Sequence, residues 1–334
     1  METLFIAVVV IALVFEYTNG FHDAANAIAT SIATRALRPW QALLMAGVLN
    51  IVGALISTSV AATVAKGIVD SNVVTLETVL AALIGAIAWN LLTWYYGIPS
   101  SSSHCLIGGI VGATLATSGT GVQWMKILEK VVVPMVVSPL IGFVVGILLT
   151  VALAWTFRRS PYGKVNHWFK YIQTASASLM ALSHGQNDAQ KTMGIILLAL
   201  VAAGHLPATA DVPLWVKLSC AIVMGLGTLA GGKRIIKTMG MKIAQLRPVD
   251  GFAAETAASA VLLATGHLGF PVSTTHVITA SIMGVGATHR IKAVRWGITR
   301  SIVIAWILTL PASALIGGSV AYLFKVLVRA GLMH

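Results

Sequence analysis

Two short polar clusters stand inside apolar stretches of the chain. The first, Asn19-Gly20-Phe21-His22-Asp23-Ala24-Ala25-Asn26, lies halfway along a run from Leu4 to Thr34 that reads as membrane-spanning. The second, His184-Gly185-Gln186-Asn187-Asp188-Ala189-Gln190-Lys191, lies inside a similar run from Tyr171 to Ala203. A carboxylate at that depth is costly unless it binds something or lines a polar cavity. Asp23 and Asp188 offer hard anionic oxygens suited to Na⁺ or to a proton, and His22, Asn26 and Asn187 can ligate a cation or an anion. The two aspartates are 165 residues apart in a chain of 334, so each half carries one cluster.

A second pair of motifs supplies the opposite chemistry. Gly97-Ile98-Pro99-Ser100-Ser101-Ser102-Ser103-His104 and Gly269-Phe270-Pro271-Val272-Ser273-Thr274-Thr275-His276 repeat one order of residue types at an offset of 172. Proline interrupts a helix, and a half-helix restarting after the hydroxyl residues aims backbone N–H groups and its positive dipole end at the break. Hydroxyls add donors without net charge, which suits a small tetrahedral oxyanion that must be released as well as bound. A lone membrane serine usually bonds back to its own helix; four hydroxyls in a row, answered by three in the other half, favour a binding tip. His104 and His276 suit tip bracing and substrate or proton handling equally. Glu16 and Glu255 suit either a proton relay or a local cap. An intramembrane hydrolase finds little support, because Ser103 and His104 are adjacent and do not face each other on a helix.

The elements that must position these groups are membrane helices. The chain is 57% hydrophobic and only 10% charged, with a mean hydropathy of +0.88. A soluble domain would be roughly a quarter charged. The net charge of +12 fits basic cytoplasmic loops better than nucleic acid. Cys105 and Cys220 form neither a disulfide framework nor a metal spacing, and no resident metal or cofactor is expected. Glu2, in place of Lys or Arg, precedes the first apolar run, so that run is expected to stay and span.

Apolar windows fall at about 4–34, 40–65, 74–117, 127–157, 171–203, 213–232, 251–287 and 298–324. Most of the 22 Lys and Arg follow the first, fourth, sixth and seventh windows, in loops that the positive-inside rule makes cytoplasmic. Window 251–287 then enters from the cytoplasm and returns there, whereas 74–117 enters from outside. The expected fold is an all-α integral membrane protein of two inverted-topology repeats, each with three crossings, one of them broken, plus one re-entrant helical hairpin. Residues 1–157 form the first repeat, with a break at 19–26 and a tip at 99–104. Residues 158–170 form a basic cytoplasmic linker, and 171–334 form the second repeat, with a break at 184–191 and a tip at 271–276. Both termini are expected outside. Inverted repeats with broken segments are a secondary-transporter design. An inside-negative potential opposes anion uptake by ~2.3 kcal/mol per charge per 100 mV, so uphill uptake needs a co-transported cation.

Gly20-Phe21-His22-Asp23-Ala24-Ala25-Asn26-Ala27 and Gly185-Gln186-Asn187-Asp188-Ala189-Gln190-Lys191 resemble the paired signature of the PiT family of inorganic phosphate transporters, and both hydroxyl tips resemble that family's hairpins. The resemblance implies a transporter and not an enzyme, importing phosphate across the cytoplasmic membrane and usually working as a homodimer. Carried over by matching position, Asp23, Asn26 and Asp188 hold cation and substrate, while Ser101, Ser102, Ser103, Ser273, Thr274 and Thr275 cradle phosphate. His22 stands where the family has asparagine before the first aspartate, and Lys191 stands where it has the second asparagine. Those departures are similar to the bacterial low-affinity branch, associated with proton coupling and metal-phosphate substrates. A fixed ammonium one turn from Asp188 repels Na⁺ and can pair with the carboxylate or touch phosphate. Proton coupling is therefore expected, with sodium as the alternative. Sulfate is the rival substrate, separated from phosphate only by an acceptor such as Asp23 or Asp188, because HPO₄²⁻ has a proton to donate.

Overall fold

A chain inside a bilayer must satisfy its backbone groups internally, and this one does so with helices. The computed structural model describes residues 2–330. The first half runs α1 (Glu2–Ala33), α2 (Pro39–Ala54), α3 (Ser59–Gly67), α4 (Leu76–Tyr96), α5 (Ser102–Thr117) and α6 (Trp124–Ile127), which continues through a π-helical turn into α7 (Val133–Thr156). The second runs α8 (Tyr162–Ala202), α9 (Leu214–Ala230), α10 (Lys233–Lys237) with a π-helical turn to Lys242, α11 (Pro248–His267), α12 (Thr274–His289) and α13 (Trp296–Arg329). Met1 and residues 331–334, the ends expected outside, lie beyond the described residues.

Among the described residues, α1, α4, α6 with α7, and α13 are each long and apolar enough to cross a membrane. Two bent pairs qualify when taken together: α2 with α3, bent by 67°, and α9 with α10, bent by 63°. Leu140, Leu148, Ile307 and Leu315 lie more than half exposed on the outer surface, where a bilayer and not water accommodates them. The protein is a multi-pass membrane protein. Its polar residues are turned inward: α8 is buried from Ser183 through Leu200 although it carries the second polar cluster.

The breaks expected at 19–26 and 184–191 are not there. Both α1 and α8 run through their polar clusters as continuous helix. Asn, Asp and His cost a helix only about 0.7 kcal/mol each relative to Ala, so side chains can leave an intact backbone to reach their partners. The glycines there serve close crossing, not unwinding. A Cβ on Gly20 would meet the Met224 carbonyl at 2.6 Å, and one on Gly185 would overlap the Asn50 backbone. The sharp bends fall instead within the pairs α2–α3 and α9–α10. At the first of them Gln190, from the second polar cluster, accepts from the Val60 N–H at 2.8 Å and so satisfies an opening donor of α3. The expected linker 158–170 is also largely helical, because α8 starts at Tyr162; its 41 residues extend about 60 Å, well past a bilayer core.

The hairpins form where proline and glycine demand them. Helix α4 ends on Gly97 in the left-handed conformation, φ +66°, and an extended stretch leads to the Ser101 cap of α5. Gly269, φ +72°, turns the chain after α11, and Ser273 caps α12. The two halves interlock, since α5 packs on α13 and α12 packs on α7. Helices α1 and α8 touch each other between these arms.

Gly185→Val is expected to force α2 away from α8 and cost about 1–3 kcal/mol or more, the usual range for overpacking. Thermal unfolding of the purified protein in detergent reads this as a lowered Tm. An unchanged Tm would mean that the crossing is looser than the close approach at Asn50 requires.

Candidate functional site

Helical spacing places His22, Asp23 and Asn26 on α1, and His184, Asp188 and Lys191 on α8 at i, i+4 and i+7. The crossing of the two helices brings one atom each of Asp23, His184 and Asp188 within 4.8 Å of one another. All six side chains are buried. Two like charges at such a separation repel by roughly 3–4 kcal/mol at an effective dielectric near 20, so the site calls for positive charge and for donors. Lys191 supplies one fixed cation, paired with Asp188 Oδ1. His184 Nε2 lies 3.0 Å from Asp188 Oδ2, and His22 Nδ1 lies 2.6 Å from Asp23 Oδ1. The geometry of Asp23, His184 and Asp188 is able to hold a cation; the sequence pointed to Asp23, Asp188, His22 and Asn187 for that task, and not to His184.

The hairpin tips provide the donors. Ser102 Oγ donates to Asp23 Oδ2 at 2.6 Å, and Thr274 Oγ1, from the other tip, donates to Asp188 Oδ2 at 2.8 Å. Each helix also reaches the opposite hairpin. Asn26 Nδ2 donates to Thr274 at 3.1 Å and to Thr275 at 2.9 Å, while Lys191 Nζ donates to the Ser103 hydroxyl. Thr275 Oγ1 reaches Asp23 Oδ1 at 3.4 Å. A further bond from Lys191 Nζ goes to the Val272 carbonyl at 2.9 Å. Two carboxylates, an amide, an ammonium and four hydroxyls therefore converge where α1, α8 and both tips meet. That set can hold a cation beside a tetrahedral anion, with hydroxyls able to donate to either carboxylate or anion.

The remaining candidates do other work. Ser101 and Ser273 accept from the His104 and His276 N–H groups, each at 3.2 Å, and so act as helix caps at the tips. Asn187, one residue from Asp188, points about 100° around the helix; its amide donates to the Ser183 carbonyl at 3.0 Å and the Leu262 carbonyl at 2.9 Å, bracing α11. His104 and His276 touch each other edge to face at 4.8 Å, and His276 stacks on Trp306 at 4.0 Å. They join the hairpins to each other and to α13.

Several residues enter that the sequence did not single out for the site. Thr93 Oγ1 lies 3.1 Å from His22 Nε2 and accepts from Ser100 at 2.8 Å, which ties the end of α4 to the first tip. His184 Nδ1 lies 3.1 Å from Asn50 Oδ1, and Asn50 donates to Thr228 at 2.8 Å. Asn50 inside an apolar window was the available signal; Thr93 gave none. Glu16 and Glu255, which the sequence did mark, are buried acceptors: Glu255 accepts from Thr30 at 2.5 Å, from Gln173 at 3.0 Å and from Ser176, while Thr192 donates to Glu16.

The chain matches the model of a phosphate transporter family over residues 19–163 and 158–317. It is 48% identical over 323 residues to a probable low-affinity inorganic phosphate transporter of Bacillus subtilis, covering 96% of each chain. A protein of the same description from Mycobacterium bovis is 51% identical over 316 residues, which cover 94% of this chain and 76% of that one. Among solved structures, a sodium-dependent phosphate transporter superposes with a TM-score of 0.86 at 26% identity, covering 97% of this chain and 99% of that one.

Asp188→Ala leaves the Lys191 ammonium buried without its carboxylate, a change that typically costs about 3–5 kcal/mol. It is expected to lower the Tm in detergent more than Asp23→Ala, whose carboxylate faces His22 and no ammonium. Equal losses would mean that the Lys191 pair carries no special weight.

Proposed function

Because the chain belongs to the phosphate transporter family, we propose that it imports inorganic phosphate by cation symport through alternating access around the Asp23–Asp188 site. It is a transporter and not an enzyme. One observation carries the site assignment: each aspartate is hydrogen-bonded by a hairpin-tip hydroxyl, Ser102 on Asp23 and Thr274 on Asp188. These hydroxyls are neutral donors held within reach of buried carboxylates, and rotation of a hydroxyl redirects its proton from a carboxylate to a phosphate oxygen. Asp23 and Asp188 serve cation or proton coupling with His22, while Asn26, Ser103 and Thr275 complete the cradle. A protonated phosphate can donate to Asp23 or Asp188, which selects it over sulfate.

The matched contacts of Ser102 and Thr274, of Ser101 and Ser273, and of Asn26 and Lys191 support two inverted repeats, residues 1–157 and 171–334, joined through 158–170. The same reading places the protein in the cytoplasmic membrane with both termini outside, as a homodimer, with a divalent metal accompanying phosphate. The favoured coupling ion is the proton, because Lys191 already contributes a positive charge at the site. Sodium is the second reading, favoured by the sodium-dependent transporter that shares the fold.

Uptake of labelled phosphate into proteoliposomes under imposed H⁺, Na⁺ and Mg²⁺ gradients tests this. We expect uptake to follow ΔpH, acid outside, and to persist without Na⁺. Uptake that tracks a Na⁺ gradient and ignores ΔpH would replace the first reading with the second, and an absence of phosphate uptake would sink both. Ser102→Ala and Thr274→Ala are each expected to raise the KM for phosphate about tenfold, as loss of a hydrogen bond to a charged group implies. Excess sulfate is expected not to compete, and effective competition would reverse the substrate assignment.

A further inference from the structure

An ammonium group has three N–H donors and no acceptor. The three on Lys191 are matched by three oxygens: Asp188 Oδ1, the Ser103 hydroxyl and the Val272 carbonyl. In this arrangement no donor is left for phosphate, so Lys191 is a substrate ligand only if one of those bonds opens. The three oxygens come from α8, the first tip and the second tip. A carboxylate, a hydroxyl and a backbone carbonyl are also the ligand types that hard cations take. The ammonium therefore sits where an alkali cation has the chemistry to sit.

The position on α1 that matches Lys191 holds Asn26, three residues after Asp23 as Lys191 is three after Asp188. Its amide nitrogen is bonded to Thr274 and Thr275, but its Oδ1 is buried with no partner among the described residues. Asp23 Oδ1 and Thr275 Oγ1, 3.4 Å apart, complete an oxygen-rich neighbourhood there. One seat thus contains its own cation, and the other presents an unpartnered oxygen beside a carboxylate.

We propose that Lys191 is a tethered cation. Its ammonium fills the second of two equivalent cation seats, so that only the first seat, at Asp23, Asn26 and Thr275, takes a mobile ion during transport. This rests on the symport reading above and deepens it. The tethered charge is returned in every cycle and never crosses with the substrate, so this chain moves one cation fewer per phosphate than one with a neutral side chain in both seats.

The test uses the purified full chain in detergent without phosphate, comparing wild type with Lys191→Asn and Lys191→Ala. Equilibrium binding of radiolabelled Na⁺ and thermal unfolding in NaCl against choline chloride are the readouts. Each variant is expected to bind one more Na⁺ per chain than wild type and to show a larger rise in Tm in NaCl than wild type does. Adding Asp188→Asn to Lys191→Asn is expected to remove that gain. A folded variant whose Na⁺ count and salt response match wild type overturns the proposal. So does failure of both variants to fold even in high NaCl, because a vacated seat open to Na⁺ lets the salt restore the fold. Loss of the phosphate reading would be seen separately, as wild type that neither takes up nor binds phosphate, and would leave the Na⁺ gain readable.

Discussion

Two aspartates buried side by side in a membrane protein are the constraint around which this molecule is arranged. In a medium of low dielectric, neither carboxylate is tolerable without donors, and the pair is not tolerable without positive charge. The chain answers with hydroxyls from two hairpin tips and with the Lys191 ammonium. Those partners lie 79 residues from Asp23 for Ser102, and 86 from Asp188 for Thr274. The site therefore exists only when both hairpins are folded and seated.

The seating is mutual. The first hairpin leans on α13 and the second on α7, each from the opposite half of the chain. Asn26 and Lys191 both reach across to a tip. Small residues let this happen: Gly20, Gly53 and Gly185 stand where any side chain would strike a neighbouring backbone, so α1, α2, α8 and α9 approach more closely than larger residues permit. Close approach lets short side chains such as Ser, Thr, Asn and Asp span the gap between elements. Movement of the second hairpin would withdraw a hydroxyl from both carboxylates at once, Thr275 from Asp23 and Thr274 from Asp188.

Much of the site was legible because its chemistry is expensive in a membrane. Asp23, Asp188 and the hydroxyl runs stand out against apolar surroundings, and proline with glycine marks both tips. The backbone at the polar clusters was misread for the same reason. Polarity in a membrane window looks like a break, yet polar side chains can leave an intact helix when facing groups satisfy them, and α1 and α8 do this. The bends at Leu55 to Thr58 and at Gly231-Gly232 went unread because their sequences resemble ordinary helix ends. Asn187 looked equal to its neighbour Asp188; one step around the helix turned it to α11 instead.

The sequence by itself determined the class of molecule, the pairing of motifs and the residue types at the site, because hydropathy, charge placement and repetition are properties of the chain. Only the tertiary structure decided which hydroxyl meets which carboxylate, that Ser101 and Ser273 cap helices, and that Lys191 spends its donors on Asp188, Ser103 and Val272. Those outcomes depend on angles around helices and on distances between elements far apart in sequence. A one-dimensional pattern records neither, and at hydrogen-bond range a fraction of an ångström decides between partners.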